Sequence, residues 1–174
     1  MSFDVVVAAD LDWGIGKDQT LPWPKLRGDL RHFKRITSTT STPGRRNAIV
    51  MGRKTWQSKE VAERPLPDRL NVVVSRGALE VPPGALAVRS LDEALAVPGV
   101  ETVFVVGGAI LLVDALEHPE LRYVYLTRIE ERYACDVRMP DLDARGFVKV
   151  EWEGEQVSEE HGVRYRIERL LRRI

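Results

Sequence analysis

Unbroken apolar runs and helical stripes alternate along most of this chain. Val5, Val6, Val7, Ala8 and Ala9 form the first run, which predicts a strand covered on both faces. Similar runs predict strands over 47–51, 70–74 and 102–106, with a short one at 85–88. Helical patterns lie between them, from about residue 24 to 37, from Gly52 onward, over 91–96 and over 109–116. Ser90 with Glu93 forms a capping box for the third of these. Residues 121–129 alternate as a strand, and beyond Asp136 the period changes, with 147–152 and 162–171 reading as two strands and no helix between them. The pattern predicts an α/β fold: one domain over residues 1–174, with a mostly parallel central sheet, flanking helices and an antiparallel C-terminal hairpin at one edge.

The stretch TLPWPKLRGDLRHFKRIT, residues 20–37, carries the most informative irregularity. Pro22, Trp23 and Pro24 form a stiff approach, and the helix is expected to start near Pro24 or Lys25. At about 100° per residue, Leu26, Leu30, Phe33 and Ile36 gather in one stripe, with Arg27, Arg31, His32, Lys34 and Arg35 on the opposite arc. Asp29 falls inside the apolar stripe. A carboxylate on a buried face needs a partner or gives up its charge, and desolvation raises its pKa, as a proton-donating site requires. The second reading is an acidic residue stabilised in the first turn by the helix dipole.

Length and charge narrow the setting. The 174 residues suffice for one substantial core, and 26 Lys plus Arg balance 26 Asp plus Glu, so neither nucleic acid nor an acidic membrane is an expected partner. The single Cys135 excludes an internal disulfide, and His32, His118 and His161 lack ligand spacing, so no metal site is expected. No leader of signal-peptide type is expected before the first strand, and the apolar run at 103–113 is too short to span a bilayer. A soluble, reducing, cytoplasmic setting is the expectation.

Several loops offer themselves to an anion. Gly14, Ile15 and Gly16 resemble part of a dinucleotide fingerprint, but Gln19 replaces the third glycine, which leaves a flexible loop beside a ligand. Gly52, Arg53, Lys54 and Thr55 open a helix with two cations, suited to a phosphate or simply to solvent. Ser75 and Arg76 end a strand at the edge where open α/β sheets bind ligands. Gly107 and Gly108, at a strand-to-helix junction, allow either close approach to a ligand or a tight turn.

Taken in order, LPWPKLRGDLRHFKRIT, MGRKTW, RPLPDRLNVVVSR, VVGGAILL and YLTRI resemble the dihydrofolate reductase family over residues 3–171. Other families of this fold, such as the reductase of riboflavin synthesis, are not expected to carry Trp23 together with Asp29. The resemblance implies hydride transfer from C4 of NADPH to C6 of dihydrofolate, with protonation at N5, by a cytoplasmic monomer serving tetrahydrofolate biosynthesis and one-carbon metabolism. Asp29, Trp23 and Thr127 are the implied catalytic group. Val6, Val7, Leu21, Leu30, Phe33, Leu66 and Val106 are the implied substrate wall, and Arg69 the partner of the glutamate tail. Arg53, Lys54, Ser75 and Arg76 are implied to clamp the 2′-phosphate. Ala8, Ile15, Gly16, Gly52, Thr55, Val106, Gly107 and Gly108 are implied to line the rest of the cofactor cleft, with a cis bond joining the last two glycines. Leu112 stands where many members have a tyrosine, and Val137 where a threonine is common. The alternative is a non-catalytic folate or nucleotide binder of the same fold.

Overall fold

A computed structural model of the chain describes residues 1–58 and 64–173. In chain order the elements are β1 (Phe3–Ala9), β2 (Gly14–Gly16), α1 (Arg27–Ser38), β3 (Arg46–Gly52), α2 (Arg53–Trp56), β4 (Leu70–Val74), β5 (Ala85–Val88), α3 (Leu91–Leu95), β6 (Val100–Gly107), α4 (Ala109–Glu117), β7 (Leu121–Ile129), β8 (Val137–Arg138), β9 (Phe147–Val150), β10 (Gln156–Glu160) and β11 (Val163–Arg172). The main sheet runs β10-β11-β7-β1-β6-β3-β4-β5, with β9 also paired to β11. Every pairing from β7 across to β5 is parallel, whereas β11 is antiparallel to β7, β9 and β10.

Alternation along β1 separates two layers. Phe3, Val5 and Ala9 pack with Leu91 and Leu95 of α3 and Leu111, Leu112 and Leu116 of α4. Val6, on the other face, packs with Ile49, Met51 and Phe104 and with Phe33 and Ile36 of α1. Helices therefore cover both faces, and the sheet's central strands have side chains almost wholly removed from water. The chain leaves β1 for β3 on one side, returns to β6, and crosses β1 to reach β7 on the other, and such a reversal makes the carboxyl ends of these strands the expected ligand edge.

Three local features depart from the sequence pattern. Helix α1 begins at Arg27, later than the prolines suggest, because Leu26 is extended and is itself buried against Trp23, Ile129 and Tyr165. Its buried side also differs: His32 and Thr37 are buried, Asp29, Phe33 and Ile36 are partly covered, and Leu30 is exposed. The C-terminal hairpin is formed by β10 and β11 around His161 and Gly162, both at positive φ. Residues 147–150 pair instead with the far end of β11, and Trp152 between β9 and β10 reaches Tyr125 and His32 with ring centroids 5.2 and 5.9 Å away. Strand β10 has too polar a sequence, QVSEE, to show a buried face.

His32 has its Nε2 buried without a hydrogen-bond partner among the described residues, and burial followed by the nearby Arg35 pushes its pKa down to about 4. The unfolded chain binds a proton here near pH 6.5 and the fold does not, so stability is lost as pH falls from about 6.5 to about 4. His32→Leu should therefore flatten the acid side of the stability profile, raising the urea midpoint at pH 5 by the equivalent of about 1–2 kcal/mol and changing it less at pH 8. Equal shifts at both pH values would point to packing alone.

Candidate active site

The first turn of α1 has no local cap, since Leu26 occupies the N-cap position and has no polar side chain to offer. Glu160, at the end of β10, supplies the missing acceptors: Oε1 accepts from the Arg27 N–H at 2.9 Å and Oε2 from the Gly28 N–H at 3.0 Å. The Tyr165 hydroxyl donates to the same Oε2. Asp29 follows immediately and projects toward β7, where the Thr127 hydroxyl donates to its Oδ1 at 2.6 Å. Burial raises the pKa of Asp29, the Thr127 hydrogen bond opposes that rise, and the charge of Glu160 adds to it. The helix-dipole reading would lower it instead, so desolvation prevails at this position.

An apolar wall adjoins the carboxylate. Trp23 is buried beside Leu26, Ile129 and Tyr165, Ala8 packs on the same group, and the indole meets Tyr133 edge-on at 6.0 Å. Val6, Phe33, Leu66 and Val106 belong to one cluster. Asn71 holds the loop at Leu66 by accepting from its N–H and donating to its carbonyl, both at 2.9 Å. Buried Arg69 donates to the Pro67 carbonyl and to the Thr37 hydroxyl, and its guanidinium lies 6.0 Å from the Phe33 ring centre. Desolvation lowers its pKa, while Asp68 opposes the change. Three expected members lie apart from this wall: the Val7 side chain packs into the opposite layer, and Leu21 and Leu30 are exposed.

Across the strand ends, three glycines bring backbones together. A Cβ on Gly107 would lie 2.8 Å from Thr55 Cγ2, and one on Gly108 would lie 3.3 Å from both N and Cα of Gly52. The bond between Gly107 and Gly108 is not cis, contrary to the family expectation: Arg64–Pro65 is the one cis bond among the described residues. Gly108 instead turns the chain by adopting φ 99° and ψ 115° as the N-cap of α4. Gly108→Ala adds a Cβ where both φ and space oppose it, so we expect a loss of about 2 kcal/mol or more in urea unfolding and at least a tenfold loss of activity. A stable, fully active variant would contradict this.

Arg53 and Lys54 are exposed on α2. The Arg53 guanidinium reaches the β4–β5 connection, with Nη1 3.8 Å from where a Cβ on Gly77 would sit. Ser75, whose hydroxyl donates to the Gly77 carbonyl, and exposed Arg76 are in that connection. Ile15 packs on the Val7 side of the sheet, and Gly16 pairs with Val137 in a small β2–β8 ladder.

That ladder is organised by Asp10, which the sequence pattern does not single out. Its Oδ1 accepts from the N–H groups of Asp12 and Gly14, and its Oδ2 accepts from the Tyr133 N–H and the Cys135 thiol. Although burial pushes the other way, these donors together hold its pKa low. An Asp opening a loop two and four residues before its acceptors' partners is the only local signal, and it marks a turn rather than a function.

The dihydrofolate reductase sequence pattern spans residues 2–172. The chain belongs to the dihydrofolate reductase family. It is 39% identical over 178 residues to the dihydrofolate reductase of Gallus gallus, covering 96% of this chain and 94% of that protein. With the enzyme of Rattus norvegicus the identity is 37%, over 94% of this chain and 93% of that protein. The bifunctional dihydrofolate reductase-thymidylate synthase of Glycine max is 43% identical over 94% of this chain, which spans 32% of that longer protein. Leu112 is a buried core residue on α4.

Proposed function

We infer that the chain reduces 7,8-dihydrofolate to 5,6,7,8-tetrahydrofolate with NADPH as the reductant. The observation that carries the reading is the Asp29–Thr127 pair, which joins the first turn of α1 to β7 near its carboxyl end. Asp29 can accept from the amidine edge of a pterin ring while Thr127 holds its other side. The raised proton affinity of Asp29 keeps a proton available near the ring's N5, and a water molecule can carry it the remaining distance. Trp23, Val6, Phe33, Leu66 and Val106 would wall the pterin and benzoyl groups, Leu21 and Leu30 would be covered as substrate settles, and Val7 would contribute its backbone. Arg69, already oriented by Pro67 and Thr37, keeps guanidinium donors for a carboxylate of the glutamate tail.

A phosphorylated dinucleotide would lie along the strand ends where Gly52, Gly107 and Gly108 bring β3, β6 and α4 close together. Arg53 lies against the loop that carries Ser75 and Arg76. Arg53, Lys54, Ser75 and Arg76 would hold the 2′-phosphate; Ala8, Ile15, Gly16, Thr55 and Val106 would line the remainder. When bound, NADPH supplies a hydride from C4 of its nicotinamide. No helix of the described residues is long and apolar enough to cross a membrane. We read the chain as a single-domain, cytoplasmic, monomeric enzyme with no nucleic-acid partner. Mixing it with NADPH and dihydrofolate and following cofactor absorbance tests the reading: many turnovers support it, whereas binding without turnover would identify a folate or nucleotide binder.

A further inference from the structure

The family reading assigns no part to Glu160, yet its carboxylate is built into the turn that carries Asp29. Three donors converge on it, from Arg27, Gly28 and Tyr165, which belong to α1 and β11. The fit is tight enough to dictate the residue at 28: a Cβ there would collide with the Tyr165 hydroxyl and lie 3.2 Å from Glu160 Oε2. The Tyr165 hydrogen bond, followed by the backbone bond from Gly28, holds the Glu160 carboxyl below its ordinary range. Burial, followed by the same carboxylate, pushes Tyr165 up to about 12. Across neutral pH the pair is therefore one anion and one neutral donor.

We propose that Glu160 is a positioning residue for the reduction: its carboxylate fixes the turn bearing Asp29 and sets a permanent negative charge beside that residue, favouring its protonated form. The proposal rests on the reading of Asp29 as the active-site carboxylate. Around Asp29 the groups that matter are Glu160 from β10, Tyr165 from β11, neutral Thr127 from β7, and Arg31 of its own helix, whose charge acts on Glu160. A like charge several ångströms away shifts a carboxyl's titration by roughly half a unit to one unit at intermediate dielectric. Above the midpoint, the protonated fraction falls by the same factor, about three- to tenfold.

Glu160→Gln keeps the shape and one acceptor oxygen but removes the charge. The carboxyl carbon of Asp29 can be followed by NMR in the ligand-free protein, assigned by its disappearance in Asp29→Asn, alongside single-turnover reduction from pH 5 to 9. We expect Glu160→Gln to lower the Asp29 midpoint by about half to one unit and to slow reduction about three- to tenfold at pH 8 and above, with the loss shrinking as pH falls below the midpoint. Tyr165→Phe weakens the same clasp but keeps the charge, so it should not lower the midpoint. An unmoved midpoint in Glu160→Gln, or an equal fall in Tyr165→Phe, overturns the proposal. If Glu160→Gln does not fold, Arg31→Ala decides instead: removing the cation that offsets Glu160 should raise the Asp29 midpoint, and an unchanged or lower value overturns the proposal. The NMR midpoint is read without turnover, so an inactive protein would count against the reductase reading and leave the Glu160 result to stand or fall by itself.

Discussion

Asp29→Asn should lose a hundredfold or more of dihydrofolate turnover while unfolding at an equal or higher urea concentration at pH 8. The activity loss follows from removing both the charge that would meet the pterin's amidine edge and the group able to hold a proton there; general acid catalysis alone contributes about 10²–10⁴-fold. Stability moves the other way because the fold favours the protonated carboxyl. Below the ordinary carboxyl value of 3.8, that preference stabilises the native state fully. As pH rises from there through the higher folded value, the unfolded chain ionises first and the stabilisation is lost, and it stays lost at pH 8. Asparagine has no such slope. Its amide oxygen can still accept from Thr127, and its NH2 group has the Glu160 carboxylate nearby, so little new cost is expected. Urea melts and steady-state rates at pH 5 and pH 8 test both halves. A variant distinctly less stable at pH 8 yet still active would make Asp29 a structural acid.

Replacing Arg53 and Arg76 together by alanine should weaken NADPH binding by about a hundredfold or more and leave NADH nearly unchanged. Each charge-assisted hydrogen bond to a phosphate contributes roughly 1.5–3 kcal/mol, and NADH has no 2′-phosphate to receive it. Both side chains are exposed, so their removal leaves no buried gap to destabilise the fold. Titrating both cofactors against the wild type and the double variant separates the readings. Equal losses for the two would mean that these arginines shape the cleft rather than recognise the phosphate.

The parallel sheet was legible because its strands are continuous apolar runs; Val72, Val73 and Val50 read as buried and are buried. Asp29 was legible for the opposite reason, as a polar residue interrupting an apolar stripe. The residues that escaped notice depend on long-range partners. Glu160 lies in a polar edge strand and finds its two backbone donors 132 and 133 positions away. Asp10 looks like an ordinary loop opener until Tyr133 and Cys135 arrive from the other side of the molecule. Helical stepping places His32 with the cations on the polar arc, but Trp152, from the interruption between β9 and β10, packs edge-on against its ring. Periodicity reports what a segment does alone; these side chains acquire their roles only when two distant segments meet.

The clasp on α1 also sets an order of events during synthesis. The helix is made early, but the carboxylate that caps it comes after another 130 or so residues, and β11 must still insert between β10 and β7. At about 5–20 residues per second, that interval is roughly 6 to 26 seconds on the ribosome. Throughout it the turn carrying Asp29 has neither its cap nor the neighbouring Tyr165, so a nascent chain has the sheet's central strands before it has a finished pocket. The turn that carries Asp29 acquires its cap only after the hairpin of β10 and β11 has emerged and closed.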